Sequence, residues 1–178
     1  MIEEIANLKN QKCLISIRRE KIDDARIQGF VLGFSEDLIL IHYVSDFRLD
    51  GLMILRVNDI SEIGSDKTDQ LQTEILKANG ICSQVNFDRE YNFSDWHSIF
   101  STLASEFPLI TIEDEGEYPI LMIGKLRSVG KESVKIHEFT GAARWLDDIS
   151  EMYFEDISSF QASNHYANVY QQYFKCQP

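Results

Sequence analysis

Apolar side chains recur at three-residue spacing at the start of the chain, where Ile2, Ile5 and Leu8 share one face, so residues 2–10 are expected to form a helix. The period then changes to two. Cys13, Ile15 and Ile17 alternate with Leu14, Ser16 and Arg18, the mark of a short strand over 13–18. Four more strand-like segments follow at 26–35, 37–44, 47–57 and 59–64, and the first of these carries Gly29 and Gly33, residues suited to a bulge or a strong bend. Residues 66–80 read as a closing helix that starts at Asp66 and stops at Asn79–Gly80, a left-handed stop signal. From residue 94 the series begins again. Ser94 and Asp95 suit a helix N-terminus, and Trp96, Ile99, Phe100, Leu103 and Phe107 form an apolar stripe that Pro108 terminates. Strand patterns recur at 109–114, 120–129, 132–139, 144–154 and 156–161. A last helix over 164–175 places Tyr166, Val169, Tyr170, Tyr173 and Phe174 at i, i+3, i+4, i+7 and i+8.

The two series are one module written twice. A shift of 95 positions aligns Cys13–Ile17 with Pro108–Ile112 and, without a gap, Gly29 with Gly124 and His42 with His137. A period well above the roughly 20–50 residues of solenoid repeats indicates a duplicated domain. The expected organisation is therefore a first module over 1–80, a packed linker over 81–93 and a second module over 94–178. Modules this small have marginal cores, which favours packing of the halves on each other.

A helix followed by five short, bent antiparallel strands, with a glycine in the second, is the plan of a small SH3-like barrel. The stretches "CLISI", "QGFVLGFSEDLILI" and "MILRVNDISEI" of the first half resemble the Sm-like fold, and "PLITI", "MIGKLRSVGKESVKI" and "MYFEDISSF" of the second are weaker counterparts. As a whole the chain is similar to bacterial proteins built of two tandem Sm-like modules. The resemblance implies a mainly β, α+β fold of two tandem Sm-like or SH3-like small barrels, each with an N-terminal helix and a closing C-terminal helix. It also implies an ancestral RNA-binding loop between the last two strands. Here that stretch reads Arg56-Val57-Asn58-Asp59 and, in the second copy, Tyr153-Phe154-Glu155-Asp156, so one arginine faces two acids.

Charge sharpens this picture. The chain of 178 residues has a formal net charge of −12, and both halves share it: residues 1–90 carry 11 basic and 16 acidic side chains, residues 91–178 carry 6 and 13. Nucleic-acid affinity is dominated by phosphate neutralisation, so RNA is a disfavoured partner and a protein the expected one. No apolar run approaches the roughly 20 residues of a membrane helix. The amino terminus, with Glu3 and Glu4, lacks the positive charge of a secretion signal, and Cys13, Cys82 and Cys176 are odd in number and unmatched between repeats. A cytoplasmic location with reduced thiols is expected.

Candidate chemistry is sparse. His42 and His137 share a repeat position and are read as surface or hydrogen-bonded structural residues, since a metal site wants several converging ligands. Glu113, Asp114, Glu115 and Glu117 form a solvated hairpin tip whose counterpart, Arg18-Arg19-Glu20-Lys21, is largely basic. Trp145 is the candidate exposed aromatic anchor. No nucleophile triad, phosphate loop or dinucleotide fingerprint is present, so neither catalysis nor a cofactor or metal is expected. The expected function is a non-catalytic cytoplasmic protein-interaction module, with possible contact residues Arg18, Arg19, Arg56 and Trp145 and with homo-oligomers allowed. The alternative is an RNA-binding regulator using first-repeat cations, Arg18, Arg19, Lys21, Arg26, Arg48 and Arg56.

Overall fold

The computed structural model describes residues 1–92 and 94–176. It divides into two compact units, Met1–Tyr91 and Asn92–Pro178. The segment 81–91 falls in the first unit, and Phe93, the last position of the expected linker, lies outside the described residues.

The first unit opens with helix α1 (Ile2–Gln11), which buries Ile5 and Leu8. Strands β1 (Leu14–Arg19), β2 (Asp23–Phe34), β3 (Leu38–Ser45) and β4 (Arg48–Arg56) follow as an antiparallel meander. A 3₁₀ turn at Val57–Asp59 leads into the three-residue β5 (Glu62–Gly64), which pairs with β1. Helix α2 (Lys67–Ala78) closes the unit, its N-terminus capped by Asp66, whose carboxylate accepts the Thr68 and Asp69 backbone N–H groups. The core joins Ile5 and Leu8 to Ile15, Ile17, Val31, Ile39, Ile41 and Leu55.

The second unit repeats the order: α3 (Trp96–Ser101), β6 (Ile110–Asp114), β7 (Ile120–Val129), β8 (Ser133–Glu138), β9 (Ser150–Tyr153), β10 (Ser159–Ala162) and α4 (His165–Cys176). Helix α3 is shorter than the stripe predicts. The hydroxyl of Thr102 donates to the Ser98 carbonyl at 2.6 Å and that of Ser105 to the Thr102 carbonyl at 2.6 Å. Such local bonds compete with the helical ladder, so α3 ends at Ser101 and a 3₁₀ turn, Ala104–Glu106, replaces its last turns. The ring of Phe100 anchors the helix, edge-on to Phe160 at 5.7 Å and stacked on Phe154 at 5.8 Å.

The expectation of two closed Sm-like or SH3-like barrels is overturned. The strands form open antiparallel sheet, in the order β5-β1-β2-β3-β4 in the first unit and β10-β6-β7-β8-β9 in the second. Closure requires the terminal strands of the meander to meet with a fixed stagger. Here β5, only three residues long, pairs with β1, at the far end of the run from β4. The fold is mainly β, with helices flanking each set of strands.

The repeat nevertheless holds at single-residue register. The β2–β3 ladder slips between Val31 and Gly33, and the β7–β8 ladder slips between Leu126 and Ser128, positions 95 apart. Phe30 faces His42 and Lys125 faces His137, again 95 apart. Gly29 and Gly124 sit one residue before these pairs, and the need there is for close approach: a Cβ on Gly124 would lie 2.1 Å from the His137 carbonyl oxygen.

Candidate interaction surfaces

In the first unit the carboxylate of Asp69 is buried and hydrogen-bonded through both oxygens. Its side chain is 1% exposed, yet it accepts from the Ser16 hydroxyl at 2.7 Å, the Gln28 amide at 2.8 Å and the Arg26 guanidinium at 2.9 Å. Its second oxygen accepts from the Asp66 backbone N–H at 3.0 Å. One turn further along, the Thr73 hydroxyl accepts from the Leu14 backbone N–H and donates to the Asp69 carbonyl. Asp69, Gln72 and Thr73 lie at i, i+3 and i+4, so α2 docks on β1 and β2 through a polar stripe, which hydrophobic periodicity is blind to. The cleft beside it, about 310 Å³, is lined by Ser16, Arg18, Arg26, Glu62 and Asp66 among others. Its cations are paired, Arg18 with Glu62 at 3.5 Å and Arg26 with Asp66 at 3.2 Å. The backbone N–H groups that Asp66 accepts hold its carboxyl below the usual carboxylate range. This constellation fastens a helix to a sheet.

Of the first-repeat arginines named from the sequence, Arg18 and Arg26 line one cleft and Arg48 is exposed on β4. Arg18 is exposed on β1 beside Glu62. Arg19 is 3% exposed, its guanidinium 3.8 Å from the Asp23 carboxylate, so it is withdrawn from the surface. Arg56 is half-buried at the end of β4. His42 is half-buried on β3, and burial pushes its pKa below the ordinary histidine value. Cys82 is half-buried too, and burial pushes its thiol pKa up, which keeps it protonated and inert.

The second unit carries the cations that sequence reasoning passed over. Lys125, Arg127, Lys131, Lys135 and Arg144 are five of the six basic residues after position 90, and they fall on the β7–β8 hairpin and the loop after it. Their signal was present as one basic run inside an acidic half, hidden by averaging over the half. His137 sits among them. Its Nε2 lies 2.8 Å from the Leu146 carbonyl, which only accepts, so that nitrogen carries the proton and Nδ1 accepts from the Arg127 guanidinium.

Trp145 is half-buried, not a free anchor. It forms a β-bridge with Phe139, just past β8, meets the Phe174 ring of α4 at a tilt with centroids 4.8 Å apart, and lies under the Lys125 ammonium at 4.6 Å. Phe139, Tyr170 and Phe174 complete this aromatic cluster, and the Tyr170 hydroxyl donates to the Gly141 carbonyl at 2.8 Å. The adjoining face of α4, with Tyr166, Val169 and Tyr173 about half exposed, is left uncovered within the unit.

The acidic tip is ordered by its own hydrogen bonds. Ser158 donates to the Glu115 carboxylate at 2.7 Å, and Asp114 accepts the Gly116 backbone N–H at 2.9 Å. Among the described residues no group of three or more His, Cys, Asp or Glu side chains is placed to hold a metal ion, and no helix is long and apolar enough to cross a membrane. In comparisons with known proteins, no family model, no curated protein and no solved structure matches this chain.

Proposed function

We propose that the chain is a non-catalytic protein-interaction module whose contact surface lies on the second unit. One observation carries this reading. Of the fourteen large apolar residues exposed among those described, nine belong to the second unit, including Tyr118, Leu121, Tyr153, Tyr166 and Tyr173. Exposed apolar and aromatic groups rimmed by polar residues mark protein-binding surfaces, where tyrosine supplies contact area with few rotors to immobilise. On α4 the uncovered face, Tyr166–Val169–Tyr173, runs alongside the face packed on Phe139, so a partner would meet rings already held in place. The test is co-purification from the native host with the wild-type chain and with a Tyr166→Ser, Tyr173→Ser double variant. Both positions are half exposed, so the fold tolerates the change. A partner protein retained by the wild type and lost by the variant supports the reading; identical sets of proteins on both overturn it.

The basic β7–β8 hairpin favours a second reading, RNA binding, because it carries Lys125, Arg127 and Lys135 and sets Lys125 over an aromatic ring. Against it, Trp145 presents its face to Lys125 and not to solvent, and thirteen acids share the same half of the chain. Labelled single-stranded oligonucleotides titrated at two salt concentrations decide between them, since phosphate contacts give a steep salt slope.

A further inference from the structure

The pairing of β7 on its β6 side ends at Gly124, opposite Ile110, although the strand continues to Val129. Lys125–Val129 is therefore a sheet strand on its β8 side and the wall of a groove on the other. That groove encloses about 480 Å³. Phe100 and Phe107 supply its apolar lining, Ser101 and Ser105 its hydroxyls, and Lys125 and Arg127 its charge; no acidic residue lines it.

The same register in the first unit is filled. Phe30, Val31 and Leu32 are 0%, 2% and 2% exposed, and the ring of Phe87 packs edge-on against Phe30 at 5.8 Å. The ten-residue α1 packs Ile5 and Leu8 with Val31 of β2, whereas its counterpart α3, which lies against β7, has six residues. In the second unit the aligned stretch reads Lys-Leu-Arg-Ser-Val, with Lys125, Arg127 and Ser128 exposed. The second copy has a shorter leading helix and carries the cations Lys125 and Arg127 where the first buries Phe30 and Leu32.

We infer that this groove receives an extended, acidic-apolar segment of a partner protein, which adds as a strand beside Lys125–Val129. The inference rests on the protein-binding reading and names the partner's chemistry. An open strand margin gives backbone pairing, the alternate side chains of an added strand fall towards the apolar lining, and carboxylates meet Lys125 and Arg127. Five residues of strand span about 17 Å, enough for five or six residues of peptide. A nucleic acid fits less well, since the groove offers two cations and no exposed ring to stack on.

The experiment uses the full chain and a fluorescein-labelled hexapeptide of alternating glutamate and valine, read by anisotropy. Three controls accompany it: a lysine–valine counterpart, a version N-methylated at alternate amides, and oligouridylate. The acidic peptide is expected to bind at least about tenfold more tightly than the lysine and N-methylated forms, with Lys125→Glu weakening it about tenfold. Ser105→Phe, a change at an exposed position that narrows the groove, should weaken it similarly, which guards against a folding defect in the Lys125 variant. Equal affinity for the acidic and lysine peptides, equal affinity for the N-methylated form, or tighter binding of oligouridylate that competes with the peptide overturns the inference. If the peptide fails while the tyrosine double variant still loses a partner, the protein-binding reading stands and only the groove's role falls.

Discussion

Gly124→Ala measures how far the close approach of β7 and β8 supports the second unit. The glycine is not in the left-handed region, so the strain on substitution is purely steric. A new Cβ would sit 2.1 Å from the His137 carbonyl oxygen and 2.7 Å from its carbon, both backbone atoms that cannot rotate away. The strands must part by about 1 Å before that contact reaches the 3.0 Å below which real Cβ contacts are essentially never found. Overpacking of this kind typically costs about 1–3 kcal/mol or more, and weakened ladder bonds add about 1 kcal/mol each. Loss of glycine entropy in the unfolded chain returns about 0.4–1 kcal/mol. The expected net loss is about 3 kcal/mol. Gly29→Ala is the matched control. Its closest neighbours are the His42 carbonyl oxygen at 2.8 Å and the Ile41 Cδ1 at 2.9 Å, the latter the end of a side chain that can turn. A loss near 1 kcal/mol follows there. The assay exploits the placement of both tryptophans, Trp96 and Trp145, in the second unit, so their fluorescence reads that unit alone while far-UV circular dichroism reads both. With a urea m-value of about 1.5 kcal/mol per molar, Gly124→Ala should lower the fluorescence midpoint by about 2 M. A shift under about 0.3 M, or a greater loss for Gly29→Ala, refutes the steric account.

Two further outcomes concern the first unit. Asp69→Ala strips a buried carboxylate from Ser16, Arg26 and Gln28 and leaves their donors unmatched, so it should destabilise the unit by about 3 kcal/mol; the loss should appear in urea unfolding followed by circular dichroism, and an unchanged dichroism midpoint would show that the polar stripe is not what holds α2. His42 has a folded-state pKa below its unfolded value because burial disfavours the imidazolium, so the unfolded chain takes up the proton first as pH falls through about 6.5. Stability is therefore full above that pH and declines below it, and His42→Gln should flatten the decline between pH 7 and 5; parallel curves for the two proteins would contradict this.

Period and punctuation made the elements legible. Strand β7 lies at the expected 120–129, and α2, expected to start at Asp66, begins one residue later with Asp66 as its cap. What hydrophobic periodicity could not register was pairing. Residues 59–64 carry a strand signal, but only the structure shows that β5 is reduced to three residues and pairs with β1, which leaves the run open. The helix expected to reach Phe107 broke early for a reason written in side-chain hydroxyls, at Thr102 and Ser105, and not in the apolar stripe. Arg19 looked like a surface cation because charge is normally exposed, whereas here the side chain is folded inward beside Asp23. Trp145 was read as an exposed anchor because it sits where a loop enters a strand pattern; its partners, Phe139 and Phe174, lie 6 and 29 positions away in sequence and only the fold brings them together.

The register shared by the two units turns their differences into a statement about use. Lys125 occupies the place of a fully buried phenylalanine, and a cation there would be ruinous if the rest of the unit depended on that position for its core. It does not, because the packing has moved: Phe139, Trp145, Tyr170 and Phe174 form an aromatic cluster that includes α4, and the Lys125 ammonium lies over the Trp145 ring. The same exchange runs through the first hairpin of each unit, where the basic Arg18-Arg19-Glu20-Lys21 becomes the acidic Glu113-Asp114-Glu115-Gly116 while the cations appear on the next hairpin. A copy kept only to complete a core would retain apolar residues at the shared buried positions. This copy keeps the bulge and the strand order, replaces the buried stretch with Lys-Leu-Arg-Ser-Val, and has a shorter leading helix. The replaced stretch and the short α3 both border the open margin of β7, so a partner segment seated in that groove would account for both changes at once.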